Sequence, residues 1–123
     1  PDIDRTQLNP MASLLSETCR WTVHCSRADL PLTISGGRFD HKRVGRYRAK
    51  DLRRLNFNGT LDFVDFADHP LGDSHNYYRS SRPVLLDLWA MIRDVPAGER
   101  PFLVKEQETM SGASGVLRFW RCR

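Results

Sequence analysis

Four residues in one short segment have side chains that could carry out acid–base or metal chemistry: Asp62, Asp65, Asp68 and His69. On a helix, Asp62 and Asp65 would share a face at a spacing of three residues, and Asp65 and His69 at a spacing of four. Carboxylates beside an imidazole could bind a divalent cation. The same spacing is typical of the exposed side of a helix whose inner side begins at Leu61, and we favour this second interpretation.

The other residues with reactive side chains are scattered along the chain. The three cysteines are Cys19, Cys25 and Cys122, and the four histidines are His24, His41, His69 and His75. Their spacing is not that of a zinc site, and an odd cysteine count without a CxxC motif favours reduced thiols. Gly36-Gly37 lacks the Lys-Ser/Thr ending of a phosphate loop. We therefore predict no enzymatic activity and no metal site, and the sequence leaves the cofactor unknown.

The segment from Arg38 to Arg54 is strongly basic, with eight basic residues against Asp40 and Asp51 and hence a local net charge of +6. Such a patch could bind phosphates, and the interleaved aromatic residues Phe39 and Tyr47 could stack on bases. Basic segments of small domains are often only solvated faces, so nucleic-acid binding is the second of our functional predictions. The patch residues are Arg38, Lys42, Arg43, Arg46, Arg48 and Lys50.

The composition is that of one globular domain covering residues 1–123. A hydrophobic share of 40% argues against disorder, and no apolar run approaches the roughly 20 residues that span a bilayer. With reduced thiols, these features predict a soluble, cytoplasmic protein without a membrane span. The chain starts Pro-Asp-Ile-Asp-Arg, without an initiator Met or a secretory leader, which suggests a trimmed chain or an excised domain.

Several elements should position these residues in the first half of the chain. Asn9 is a good N-cap and Pro10 a good first helical residue, so a short amphipathic helix is predicted from there to about Cys19. Trp21–Cys25 alternates apolar and polar residues, as a half-buried strand does. Leu32–Ile34 is a second short run, and the two suggest a hairpin.

The last third of the chain, Pro83 to Arg123, is predicted to form an antiparallel three-strand meander. The three strands are Pro83–Ile92, Phe102–Glu108 and Val116–Cys122, separated by turns at Val95–Gly98 and Ser111–Gly115. The first strand would be apolar on both faces. Such a strand belongs in a sheet that is covered on both sides, or in one curved around a ligand cavity.

This order of elements resembles that of a PAS-type sensory domain of the bacterial group. The matching segments follow one another along most of the chain: Asp2-Ile3-Asp4, Arg38-Phe39, Arg43-Val44-Gly45, Phe57-Asn58-Gly59-Thr60, and Tyr78 with Arg82-Pro83-Val84. The resemblance implies an α+β fold, in which a five-stranded antiparallel sheet has short helices packed on one face. The strongly basic stretch between Gly45 and Gly59 departs from that pattern.

The resemblance also implies a sensory, regulatory or protein-interaction module that self-associates as a dimer and binds a small ligand in an apolar pocket. The candidate pocket residues are Trp21, Phe57, Phe63, Phe66 and Trp89. The leading helix would be the dimer contact, and Trp120 would lie on such an interface. The chain lacks the Asn-Cys-Arg-Phe motif of the light-sensing branch. A haem branch would use His69 or His75 as the axial ligand, and a solvated loop histidine is the favoured alternative.

Overall fold

A computed structural model describes residues 7–8, 10–11, 19–26, 55, 57–68, 79, 81–111 and 114–123. Within this part of the chain, four strands, one α-helix and one short 3-10 helix are formed. In chain order they are β1 (Trp21–Cys25), β2 (Asn58–Asp65), α1 (Arg82–Ile92), the 3-10 helix (Ala97–Glu99), β3 (Leu103–Ser111) and β4 (Ser114–Cys122). Residues 7, 8, 10, 11 and 79 also have helical backbone.

The four strands form one mixed sheet in the order β1-β2-β4-β3. β2 is parallel to both of its neighbours, β1 and β4, whereas β3 pairs with β4 in the antiparallel sense and lies at the edge. Thr22 of β1 lies opposite Asp62 of β2, which in turn lies opposite Arg118 of β4. A register shift between Lys105 and Gln107 interrupts the β3–β4 ladder.

The prediction of a five-stranded antiparallel sheet of PAS type is wrong for the described residues. The observed sheet has four strands, and two of its three strand pairings are parallel. Parallel neighbours cannot be joined by a tight turn, so the chain must cross over between them. The connection from β2 to β4 makes this crossover through α1 and β3. The resemblance to PAS domains therefore loses the architecture on which it depended.

The strand predicted at Pro83–Ile92 is instead the helix α1. Nearly every residue in this segment is apolar, so a period of two and a helical period fit it equally well. Leu, Met and Ala favour a helix, and a proline near its first position is compatible with one because no backbone donor is lost. The helix buries Val84, Asp87 and Ala90, which recur at helical spacing.

The predicted turn at Val95–Gly98 does not join two strands. It follows the carboxyl end of α1 and runs into the 3-10 helix. Asp94 has a left-handed backbone, with φ of 58°. Its N–H donates to the carbonyl of Met91 at 2.9 Å, and the N–H of Val95 donates to the carbonyl of Ala90 at 2.9 Å. These two bonds form a Schellman motif, which fixes the direction in which the chain leaves α1.

Other strand predictions are confirmed. β1 occupies Trp21–Cys25 with the expected alternation of burial, and β3 and β4 form the predicted hairpin. The neighbour of β1 in the described sheet is the parallel strand β2. Leu32–Ile34, its predicted hairpin partner, lies outside the described residues. Gln7 and Leu8 have helical backbone, ahead of the predicted helix start at Asn9.

The sheet separates two clusters of buried apolar side chains. The first core cluster contains Leu8, Val23, Leu55, Phe57, Leu61, Phe63, Leu117 and Phe119, with Trp21 packed against it. The second core cluster contains Val64, Phe66, Val84, Ala97, Trp120 and Cys122, with Leu88 and Leu103 packed against it. Because successive strand residues point to opposite faces, β2 contributes Leu61 and Phe63 to the first and Val64 to the second.

The helix predicted around Leu61 is therefore wrong, since this segment is the strand β2. The acidic residues Asp62 and Asp65 are both buried, and only Asp68 is exposed. Because β2 is covered on both faces, most of its residues are apolar. Asp62 and Asp65, its two carboxylates, happen to have the three-residue spacing of polar residues on one side of a helix. His69 lies outside the described residues.

Candidate functional site

The outer face of α1 carries three exposed apolar residues in a line. Leu85, Trp89 and Ile92 are 45%, 58% and 85% exposed, and spacings of four and three residues place them on one side of the helix. We call these three residues the α1 stripe. The guanidinium carbon of Arg93 lies 4.9 Å from the centre of a Trp89 ring and fixes that side chain by a cation–π contact.

The inner face of α1 is fastened to the sheet. Val84 is fully buried in the second core cluster, and Leu88 packs against the same cluster. Burying a side chain of this size contributes about 1.5–3 kcal/mol, so α1 is held firmly in place. The α1 stripe is therefore a fixed surface feature of the molecule.

A group of polar residues lies between α1 and the sheet, and we call Thr22, His24, Asp87 and Arg100 the polar cluster. Asp87 and Arg100 are buried, whereas Thr22 and His24 are half-buried. His24 Nε2 is 2.6 Å from Asp87 Oδ2, and Arg100 Nη1 is 3.3 Å from both oxygens of the same carboxylate. Arg100 also donates from Nη2 to the Thr22 hydroxyl at 3.4 Å and from Nε to the Val95 carbonyl at 3.0 Å.

The polar cluster connects three parts of the chain. Thr22 and His24 are two residues apart on β1 and so point to the same face, Asp87 comes from α1, and Arg100 follows the 3-10 helix. Asp87 and Arg100 are both buried, so each compensates a charge that would otherwise be costly away from water. The His24 ring packs edge-on against Phe66, with 5.1 Å between ring centroids.

A carboxylate that holds an imidazole is also part of the general-base unit of many hydrolases. Here the carboxylate is shared with a buried guanidinium, and the imidazole packs against an aromatic ring of the core. This arrangement ties β1, α1 and Arg100 together. We interpret the polar cluster as the anchor that orients α1.

A second buried carboxylate, Asp62, lies on the same face of the sheet. Its Oδ1 accepts a hydrogen bond of 2.7 Å from the indole N–H of Trp120. Burial raises the pKa of Asp62, while the hydrogen bond from Trp120 and the charges of Arg118, Arg100 and Arg20 oppose that rise. Folding therefore places this carboxylate where its charged form is disfavoured.

All three cysteines lie in the described part of the chain, and none of them forms a disulfide there. Burial and the nearby Asp87 charge raise the pKa of Cys122 to about 11, so this thiol stays protonated at neutral pH. Cys25 is buried and donates from Sγ to the Val64 carbonyl at 3.3 Å. Both are core residues, whereas Cys19 is exposed.

Exposed charges on β3 and β4 form surface ion pairs. Glu108 accepts from Lys105 Nζ at 2.6 Å and from Arg118 Nε at 3.1 Å, and the Lys105 hydrogen bond lowers its pKa. Arg121 Nε lies 2.6 Å from Glu106. Across the residues that the structure describes, no group of three or more His, Cys, Asp or Glu side chains could hold a metal ion.

The five candidate pocket residues do not line one cavity. Phe57 and Phe63 belong to the first core cluster, with Trp21 beside them, and Phe66 belongs to the second, on the other side of the sheet. Trp89 points outward on α1. Trp120, predicted at an interface, is buried and bonded to Asp62.

Two sets of predicted residues lie outside the described residues. One is the basic patch, made of Arg38, Lys42, Arg43, Arg46, Arg48 and Lys50. The other contains His69 and His75, the histidines considered as axial haem ligands. Nucleic-acid binding through the basic patch stays a prediction, and so does ligand binding.

Neither the α1 stripe nor the polar cluster was predicted from the sequence. The spacing of Leu85, Trp89 and Ile92 was a usable signal once the segment was taken as a helix. Asp87 was a second signal, because it is the only acidic residue within the apolar run Val84–Ile92. Its partners His24 and Arg100 are distant in sequence, so only the fold reveals them.

No protein-family model matches the chain, and neither a curated protein nor a solved structure matches it. Function is therefore inferred from the geometry alone. Among the described helices, none is both long and apolar enough to cross a membrane.

Proposed function

We propose that the protein is a protein-interaction module that binds its partner through the α1 stripe. The observation that carries this proposal is the line of Leu85, Trp89 and Ile92 on the outer face of a helix whose inner face is anchored. Aligned apolar residues on a fixed helix are the usual means by which a helix docks against a partner. Self-association is one use of this surface.

Trp89 is the expected centre of the interface. Tryptophan is enriched among the residues that dominate binding energy, because it buries a large area at low entropic cost. The Arg93 contact already restricts its side chain. Truncating such a residue commonly costs about 2 kcal/mol or more of binding free energy.

The proposal is tested by placing a photo-crosslinking amino acid at position 85, in the α1 stripe. The matched control carries the same probe at position 110, because Met110 is an exposed apolar residue on the edge strand β3. We expect a defined adduct from position 85 and none from position 110. Adding Trp89→Lys should reduce the adduct at least tenfold, because it puts a charge at the centre of the apolar contact.

Equal adducts from the two positions, or an adduct that persists undiminished with Trp89→Lys, would disprove the proposal. The unfolding transition of each variant provides the folding control. Because Trp89 and Met110 are both exposed, neither Trp89→Lys nor the probe at position 110 should lower the free energy of unfolding by more than about 0.5 kcal/mol.

A further inference from the structure

We infer that the partner of the α1 stripe is a second copy of this chain, and that the two α1 helices pack antiparallel. This inference rests on the proposed function and names the partner of the same surface. In the pairing, Leu85 of each chain contacts Ile92 of the other, and Arg82 of each chain lies beside Asp94 of the other.

The spacing of the stripe suits a two-fold axis. Leu85 and Ile92 are equally distant from a point between Leu88 and Trp89. An antiparallel partner that crosses at this point therefore places the two Trp89 side chains next to each other at the centre. It also places each Leu85 against an Ile92. Each chain presents the same surface to the other, as a closed two-fold dimer requires.

The charges at the ends of α1 support an antiparallel partner. The first turn has no acidic residue, the last turn has no basic residue, and Ser81 makes no side-chain cap hydrogen bond. Arg82 lies at the amino end and Asp94 just beyond the carboxyl end, each where the helix dipole disfavours its charge. An antiparallel copy would bring Asp94 to the first turn and Arg82 to the last turn, so both ends would gain the charge they lack.

Both charged groups are exposed to solvent. Within the described part of the chain, Arg82 is exposed and makes no ion pair. The Asp94 side chain is 80% exposed, and Arg20 Nη1 lies 3.4 Å from its Oδ1 and donates to the Asp94 backbone carbonyl at 2.9 Å. The Schellman motif holds Asp94 in a fixed position. The nearby cation Arg93 is already placed over Trp89.

The contact cannot form within one chain. Arg82 and Asp94 are 12 residues apart at opposite ends of α1. At about 1.5 Å per residue, this separates them by about 18 Å along the axis. Any energetic coupling between the two positions must therefore come from two different chains.

The interface would be small. The contact would consist of three apolar residues from each chain and two ion pairs between the chains. The surface area that these groups bury is smaller than the roughly 1,600 Å² of a standard interface. We therefore expect a reversible dimer with a Kd of roughly 10–100 μM, comparable with other weak and transient interfaces.

The inference is tested by reversing the charge at Arg82 or at Asp94 and measuring self-association of the full chain. Sedimentation equilibrium over a concentration series gives the dimer dissociation constant. Arg82→Glu alone and Asp94→Lys alone should each weaken self-association about tenfold, because each places like charges together twice in the dimer. An equimolar mixture of the two variants should recover the wild-type affinity. In the mixed dimer the two introduced side chains form one ion pair of opposite charge, and the native Arg82 and Asp94 form the other. Met110→Lys, the control, should leave the affinity unchanged.

A mixture no tighter than the single variants would overturn the inference, and so would a wild-type chain that stays monomeric at millimolar concentration. The proposed function is judged separately. An adduct from position 85 with a different protein would sustain the proposed function and refute the second copy as partner. The absence of any adduct would refute both. Urea unfolding of Asp94→Lys measures any cost of lysine in the left-handed conformation.

Discussion

Asp62 shows how a single buried carboxylate can lower the stability of its own fold. Because burial raises its pKa above the ordinary value of 3.8, the folded chain binds this proton more tightly than the unfolded chain does. The resulting stabilisation is fully present below the unfolded pKa and is lost as pH rises through the folded pKa. At neutral pH the ionised group therefore costs stability, although Trp120 and three arginines reduce that cost.

Asp62→Asn should increase the free energy of unfolding at pH 7. The amide oxygen can still accept the Trp120 hydrogen bond, while the buried negative charge is removed. The gain should shrink as pH falls through the raised pKa of Asp62, because the carboxylate then takes up a proton in the folded chain. Urea unfolding followed by tryptophan fluorescence between pH 4 and pH 7.5 measures the effect. Asp68→Asn, at an exposed position, is the control, and a gain that does not depend on pH would contradict the explanation.

Asp87 should be the most sensitive residue of the polar cluster. Asp87→Ala leaves the Arg100 guanidinium buried without its counter-charge and should cost about 3–5 kcal/mol of unfolding free energy. Glu108→Gln provides the comparison, because it removes a carboxylate from an exposed pair and should produce no measurable change. Thermal and urea unfolding measure both variants. An Asp87→Ala protein as stable as wild type would show that the cluster does not anchor α1.

At the scale of elements, α1 and β2 show why a pattern of apolar residues can mislead. β2 is buried on both faces, and α1 carries apolar residues on its exposed outer face as well as on its inner face, so neither sequence displays a clear period. In α1 the polar partner of Asp87 lies on β1, and in β2 the partner of Asp62 lies on β4. Pairing between distant elements thus decided which local conformation was stable, as is common when intrinsic preference is weak.

The pairing of β2 with β4 depends on the close approach of Phe57 to Gly115. A Cβ atom at position 115 would lie 2.7 Å from the Phe57 carbonyl oxygen and 2.8 Å from its ring. Gly115→Ala should therefore cost about 1–3 kcal/mol, because the backbone must move to relieve the clash. Gly98→Ala is the matched control, since its nearest contact is an ordinary 3.6 Å to Trp120. Equal unfolding midpoints for the two variants would refute this account.

At the scale of the whole molecule, the sheet separates what stabilises the protein from what is available for binding. Its two faces bury the two core clusters, and the polar cluster fixes α1 against the second of them. Among the described residues, the outward face of α1 is an exposed apolar surface that folding leaves aligned on a fixed helix. This arrangement is why we place the interaction with another chain there and not in an internal pocket.

The sequence by itself determined the elements whose signal is local. The half-buried strand at Trp21–Cys25 and the hairpin of β3 and β4 follow from alternation and turn residues. Only the tertiary structure decided that Arg82–Ile92 is a helix, that Asp62 is buried in a strand, and that His24, Asp87 and Arg100 meet. These outcomes depend on contacts between residues far apart in sequence, whose desolvation and pairing energies outweigh the weak preferences of each segment alone.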